Sequence, residues 1–183
     1  MRKCGIAACV LFVALATSPG HAQKGVSVFT ATLAGEKEVP LVSSPAAGTF
    51  KAEIDESTTP PEVRYELSYS GFTTEVRQSH IHIAQPFASG AIMVWLCQTK
   101  ANPAPAPVIN DVPQCVQEGT VTGVIRPASV SSNNSSSGQG VGPGEYDEFV
   151  AAIRSGNAYA NVHSVQSGAG EIRGQLKPGN GPK

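Results

Sequence analysis

Alternating apolar and polar positions dominate the chain and predict a series of short β-strands. In most of these segments every second residue is apolar, which indicates a strand with one buried and one solvated face. Residues 91–97 instead form a continuous apolar run, which is typical of a strand buried on both faces. The predicted strands cover residues 28–33, 49–54, 63–69, 79–84, 91–97, 119–125, 157–163 and 171–176.

A single helix is predicted at residues 145–154, between the sixth and seventh strands. Acidic residues lie in its first turn and Arg154 in its last, as the helix dipole prefers, and Gly156 follows its end. Upstream, residues 127–144 are rich in Ser, Asn and Gly and predict a mobile loop. The order of elements predicts an all-β fold: a Greek-key β-sandwich or flattened barrel of seven or eight strands with one short connecting helix.

The N-terminal residues differ from the rest and predict an export signal. Arg2 and Lys3 precede an apolar run, residues 6–16, that is too short to span a bilayer and is followed by small residues up to Ala22. We therefore predict a signal peptide at 1–22 and a single mature domain at 23–183. The mature protein is expected in the periplasm or secreted, without a membrane anchor.

Charge and cysteine content narrow the possible partners. Removal of Arg2 and Lys3 with the signal peptide leaves 11 of the 13 basic residues and all 14 acidic ones, so the mature domain has a net charge of −3. This charge argues against a nucleic-acid partner. Two cysteines remain in the mature domain, Cys97 and Cys115, and in an oxidising compartment we predict that they form a disulfide. The alternative, a thiolate metal site, lacks further ligands nearby.

Histidine carries the candidate chemistry, because only His80, His82 and His163 remain after cleavage and all lie in predicted strands. The two-residue period places both imidazoles of His80-Ile81-His82 on one face of a strand, a spacing that suits metal chelation. If the strand containing His163 is a neighbour, three imidazoles converge. The alternative is that these histidines are merely solvated or hydrogen-bonded.

Other polar residues share the predicted histidine face. Asn161 alternates with apolar neighbours beside His163, and Glu171 and Arg173 do so on the last strand. Asn161 or Glu171 could orient an imidazole through its second nitrogen. The alternative for Glu171 and Arg173 is a surface ion pair worth about 0–1 kcal/mol. Trp95 is expected in the core.

Six sequence blocks, in order, resemble the CHRD (chordin-type) family over about residues 28–176. They include Phe-Thr-Ala-Thr-Leu-Ala-Gly from residue 29 with Glu-Val-Pro from residue 38, and Tyr-Glu-Leu-Ser-Tyr-Ser-Gly from residue 65. The His-Ile-His segment, residues 119–123, residues 151–163 and Gly-Glu-Ile-Arg-Gly-Gln-Leu from residue 170 complete the series. The resemblance implies an exported protein of the bacterial type and implies a fold more than a function.

A weaker resemblance connects the chain with copper-zinc superoxide dismutases, which are Greek-key sandwiches with a His-x-His strand. It implies that His80, His82 and His163 take the places of three copper ligands and Arg173 that of an anion-guiding arginine. No histidine lies between His82 and His163, so the fourth copper ligand and the zinc-site histidines are absent. Dismutase activity is therefore not favoured.

Two hypotheses from different classes follow. The first is a metal-binding module that uses the three histidines, with copper favoured over zinc by the general affinity order. The second is a non-catalytic structural or interaction module that contacts an extracellular protein without any metal. No nucleophile triad, phosphate loop or paired-carboxylate motif is present in the sequence.

Overall fold

The computed structural model describes residues 25–131 and 139–180. The predicted signal peptide at 1–22 and the middle of the predicted mobile loop lie outside these ranges. Nine strands, one α-helix and two short 3-10 turns, at Gly35–Lys37 and Pro127–Ser129, form the described part of the chain. The other elements are β1 Val26–Ala34, β2 Ala47–Asp55, β3 Glu62–Ser70, β4 Val76–Ile83, β5 Ile92–Cys97, β6 Gly119–Ile125, α1 Tyr146–Arg154, β7 Ala158–Ser164, β8 Ile172–Gln175 and β9 Lys177–Pro178.

The strands form one antiparallel sheet that curls into a nearly closed barrel. Its order is β5-β4-β7-β8-β1-β2-β3-β6, with β9 also paired to β1. The end strands β5 and β6 contact each other without forming a ladder, which leaves a seam. Since β4, β5 and β6 follow one another around the barrel and β7 returns beside β4, the connection is a Greek key. The predicted all-β class with one helix is confirmed.

The alternation read from the sequence determines which side chains fill the barrel. In β1, β2 and β3 the ladders are continuous, so residues of equal parity stay on one face of the sheet. Phe50, Ile54 and Leu67 point inward and are almost fully buried. Charged residues of the same strands point outward, as in the Lys51–Glu53 ion pair.

Helix α1 contributes its apolar stripe to the same core. Phe149, Val150 and Ile153 are buried at the three- and four-residue spacing that the sequence predicts. The Tyr146 hydroxyl donates to the backbone oxygen of Ile125 (3.1 Å), which joins the start of the helix to β6.

The ends of the predicted mobile loop contact the barrel where they are described. Val130 is buried, and the N–H of Ser131 donates to the backbone oxygen of Met93 (3.2 Å). On the other side, the Gln139 amide N–H donates to the backbone oxygen of Ile83 (2.8 Å). These contacts anchor both ends of the segment against β4 and β5.

Candidate functional site

Strand β7 is buried on both faces, although only one face looks into the barrel. Ala158, Ala160 and Val162 belong to the core, whereas Tyr159, Asn161 and His163 point to the outside of the sheet. Loops at 35–46, 84–91 and 165–171 supply groups that contact this outer face. We call the residues gathered on this face the outer cluster: the buried Glu38, His80, His82, Tyr159, Asn161, His163 and Arg173, and the half-buried Trp95.

The β4–β7 ladder brings the three histidines together. In this ladder His80 lies opposite Asn161, and His82 lies opposite Tyr159. His163, two residues after Asn161 on β7, lies opposite Gln78. Nδ1 of His80 is 3.1 Å from Nε2 of His163, and candidate ligand atoms of the three rings all lie within 4.8 Å of one another. The adjacency of the two histidine strands is therefore present in the structure.

Two backbone carbonyls determine the tautomers of His82 and His163. Nδ1–H of His82 donates to the oxygen of Gly90 (2.9 Å), and Nδ1–H of His163 donates to that of Gly168 (3.0 Å). A carbonyl can only accept, so each neutral ring carries its lone pair on Nε2. This arrangement, in which the second nitrogen is held by a carbonyl, is the usual support of a metal-binding histidine.

The remaining hydrogen bonds leave lone pairs without donors. His80 Nδ1–H donates to His163 Nε2, so the lone pair of His80 is on Nε2, which is buried and has no partner among the described residues. Nε2 of His82 lies 3.1 Å from Oδ1 of Asn161, and both atoms are acceptors. A bound cation would relieve such a buried, acceptor-rich arrangement, whereas an empty one is costly.

Burial keeps the three imidazoles neutral at physiological pH. It lowers the pKa of His80 well below the usual value, and the nearby His163 and His82 rings lower it further. Burial also lowers the pKa of His82 to about 4, against the opposing hydrogen bond to Gly90. The pKa of His163 is lowered by burial as well. Neutral imidazoles are the form that binds metal ions.

Aromatic side chains enclose the histidines. The Tyr159 ring lies parallel to His82, with centroids 4.7 Å apart, and the guanidinium carbon of Arg173 is 3.4 Å from the centroid of Tyr159. The edge-to-face contact between Trp95 and His80 has a centroid distance of 4.3 Å. Stacking and cation–π contacts therefore position the polar rings in addition to hydrogen bonds.

Glu38 reaches the cluster from the loop after β1. Burial raises its pKa to about 7, although Arg173, the Val39 N–H and the Asn161 amide all favour the ionised form. Its Oε1 has no hydrogen-bond partner among the described residues. A Cβ on Gly170 would lie 2.4 Å from this oxygen, so the carboxyl fits only beside glycine.

The family match covers most of this architecture, from β1 to the end of β8. The CHRD domain profile matches residues 29–176. The chain belongs to the CHRD domain family. Comparisons with curated proteins and with solved structures gave no significant match. The weaker resemblance to copper-zinc superoxide dismutases therefore stays a prediction.

Two of the three supporting residues predicted from the sequence lie with the histidines of this CHRD domain. Asn161 contacts His82, and Arg173 contacts Tyr159. Glu171 is buried but bonded elsewhere: it accepts hydrogen bonds from Ser44 (2.6 Å) and Ser164. It contacts no imidazole, because it precedes the first ladder residue of β8 and turns toward these serines. Neither Glu171 nor Arg173 forms the surface ion pair considered as an alternative, since both are buried.

Sequence reasoning missed two members of the CHRD domain's outer cluster, Trp95 and Glu38. Trp95 was expected in the core, but it is half-buried and lies against His80. The apolar run of β5 concealed the fact that alternate residues point outward. The alternation of β7 does place Tyr159 on the face of Asn161 and His163, whereas no local signal indicates Glu38.

The disulfide bears on the location of the protein. Cys97 and Cys115 are bonded, as predicted, and tie the end of β5 to the segment before β6. A disulfide and a CHRD domain are compatible with an extracellular location. Among the residues described, none of the helices has the length and apolarity needed to cross a bilayer.

Proposed function

We propose that this CHRD domain protein is exported and binds one copper-type transition metal ion through His80, His82 and His163. The observation that carries the proposal is the set of buried, neutral imidazoles in which two carbonyls direct protons to Nδ1 and leave the Nε2 lone pairs as ligands. Three nitrogen ligands suit Cu(II) and Zn(II), and the general affinity order favours copper. To serve as the third ligand, His80 would have to release the Nδ1 proton that it donates to His163, or turn its ring to present Nε2.

The function we propose is metal binding for storage, delivery or sensing, not catalysis. The chain's own residues hold and orient the ligands: Gly90 and Gly168 fix tautomers, and Tyr159 and Trp95 restrict ring rotation. Asn161 adds an oxygen beside His82. Export is supported by the charged and apolar pattern before Gln23, and the exported chain should have the mass of residues 23–183.

The test is a titration of the chain from Gln23 onward, without a histidine tag, with Cu(II) and with Zn(II) by calorimetry. Trp95 is the one tryptophan of the chain and lies against His80, so its fluorescence gives a second, local readout. We expect one-to-one binding and strong quenching by paramagnetic Cu(II), with little quenching by Zn(II). The His80→Ala/His163→Ala variant should lose both signals.

Gln78→Ala is the matched control, because Gln78 lies on β4 opposite His163 but offers no imidazole. It should bind metal like the wild type. Binding that survives in the double variant would place the metal elsewhere, for example on the new N-terminal amine, and would contradict the proposal. The protein would then be studied as an interaction module, by a search for extracellular protein partners.

A further inference from the structure

A second potential site lies on the outer side of Arg173, away from the histidines. An open cleft of about 680 Å³ runs between the β1–β8–β9 surface and the loop that follows β4. Arg173 forms part of its floor, and Lys37 and Lys177 lie at its rim. Glu36 is the one acidic residue among those that line it. The cleft is thus locally cationic on a chain whose net charge is −1.

The cationic groups of the cleft are held in place by local contacts, and Glu38 acts on Arg173 electrostatically without forming an ion pair within 4 Å. Lys37 Nζ donates to the backbone oxygen of Thr32 (2.7 Å), which holds the ammonium group beside β1. The Arg173 guanidinium is fixed over Tyr159 and donates to Gln175 (3.4 Å). In the described ranges, no carboxylate oxygen lies within 4 Å of Arg173 or Lys177.

Phe87 adds an apolar wall to the same cleft. Its side chain is 90% exposed, the highest value among the large hydrophobic residues described. Its φ of 66° lies in the left-handed region, which is unfavourable for a side chain of this kind and is found disproportionately at functional sites. Pro86 and Pro178 extend the apolar lining. An exposed aromatic ring beside a cationic floor suits a ligand that has both an apolar body and a negative charge.

We propose that this cleft binds a small organic anion, namely a carboxylate carried on an aromatic or aliphatic body. The carboxylate lies between Lys37 and Lys177 in the field of Arg173, and the apolar body packs on Phe87. Planar and charged groups of this kind recognise carboxylates, and an aromatic ring supplies contact area at low entropic cost. The site needs no bound metal and is independent of the function proposed above.

The experiment is an NMR titration of the metal-free, isotope-labelled chain from Gln23 with 4-phenylbutyrate and, separately, with its neutral amide. We expect saturable shifts confined to residues of the cleft, binding at least about 5-fold weaker for the amide, and weaker binding as salt increases. Phe87→Ala and Lys177→Ala should each lower the affinity for 4-phenylbutyrate by about 3- to 10-fold. Both residues are exposed, so the fold should persist.

Leu41→Ala and Lys100→Ala are matched controls, being an exposed apolar residue and an exposed lysine outside the cleft. They should leave binding unchanged. Equal affinity for the amide, shifts scattered over the surface, or wild-type binding in Phe87→Ala and Lys177→Ala would overturn the proposal. None of these results would bear on the metal titration, because no metal is present.

Discussion

The barrel interior and the outer cluster are both buried, but burial has different consequences in the two regions. Inside the barrel, residues such as Phe50, Leu67 and Phe149 remove apolar surface from water and need no specific partners. On the outer face of β4, β7 and β8, every buried nitrogen or oxygen requires a partner. His80 and Glu38 each retain an atom without one among the described residues. The interior is thus adapted to stability, while the outer cluster is incomplete as a purely structural unit.

The largest effect on stability should come from truncating the interior. Phe50→Ala removes a ring that is 1% exposed, and we expect the free energy of unfolding to fall by about 3–5 kcal/mol because a cavity remains. Urea denaturation of the metal-free protein measures this loss. Metal affinity of the folded variant should stay unchanged, since β2 is remote from β4 and β7 in the sheet. A loss below about 1 kcal/mol would mean that the core relaxes around the gap.

An intermediate effect that depends on pH is expected from Glu38→Gln. The pKa of Glu38 is raised to about 7 by burial, so between pH 4.5 and 7 the folded state binds more protons than the unfolded state. This group's contribution to stability is therefore fully present below pH 4.5 and is lost as pH rises to 7. The stability of the variant relative to wild type should increase by about 2–3 kcal/mol across this window.

The difference between the two proteins is the quantity to measure, by denaturation at several pH values. The histidines act in the opposite direction, since their lowered pKa values make the folded state lose stability as pH falls below 6.5. Their contribution cancels in the difference. A difference that is constant from pH 4.5 to 8 would show that Glu38 titrates normally.

The smallest effect on stability should come from the outer cluster itself. His163→Ala removes the hydrogen bonds to Gly168 and His80, and we expect the free energy of unfolding of the metal-free protein to fall by about 1–2 kcal/mol. The same urea denaturation applies. A loss as large as that of Phe50→Ala would show that the histidines serve the fold and that the two buried regions do not differ in this respect.

Sequence alone predicted the strands well and the site in part. Period-two alternation located the strands and placed His80 and His82 on one face, since this information is local. That β4 pairs with β7 depends on the Greek-key connections, which no local pattern encodes. The pattern also could not show that loops cover the outer face, so the histidines were expected on a polar face and are in fact buried.

The residues missed in the cluster illustrate the same limit. Glu38 reaches Asn161 from a loop more than a hundred residues away in sequence, and Gly170 makes room for it. Trp95 lies in the apolar run of β5, where the residues of both strand faces are apolar and the sequence does not distinguish the inner face from the outer one. Glu171 shares the parity of Arg173, but it precedes the regular part of β8 and bonds to Ser44 and Ser164 instead.

The seam between β5 and β6 has a consequence for access to the histidines. Among the described strands, β5 has a ladder partner on one side only, and the Tyr65 hydroxyl bridges the seam to the backbone oxygen of Leu96 (2.7 Å). The same strand carries Trp95 over His80. A brief detachment of β5 would uncover His80 while the β4–β7–β8 ladder stays intact. If the histidines bind an ion as proposed, we expect its exchange with solvent to require local opening of this edge strand and not global unfolding.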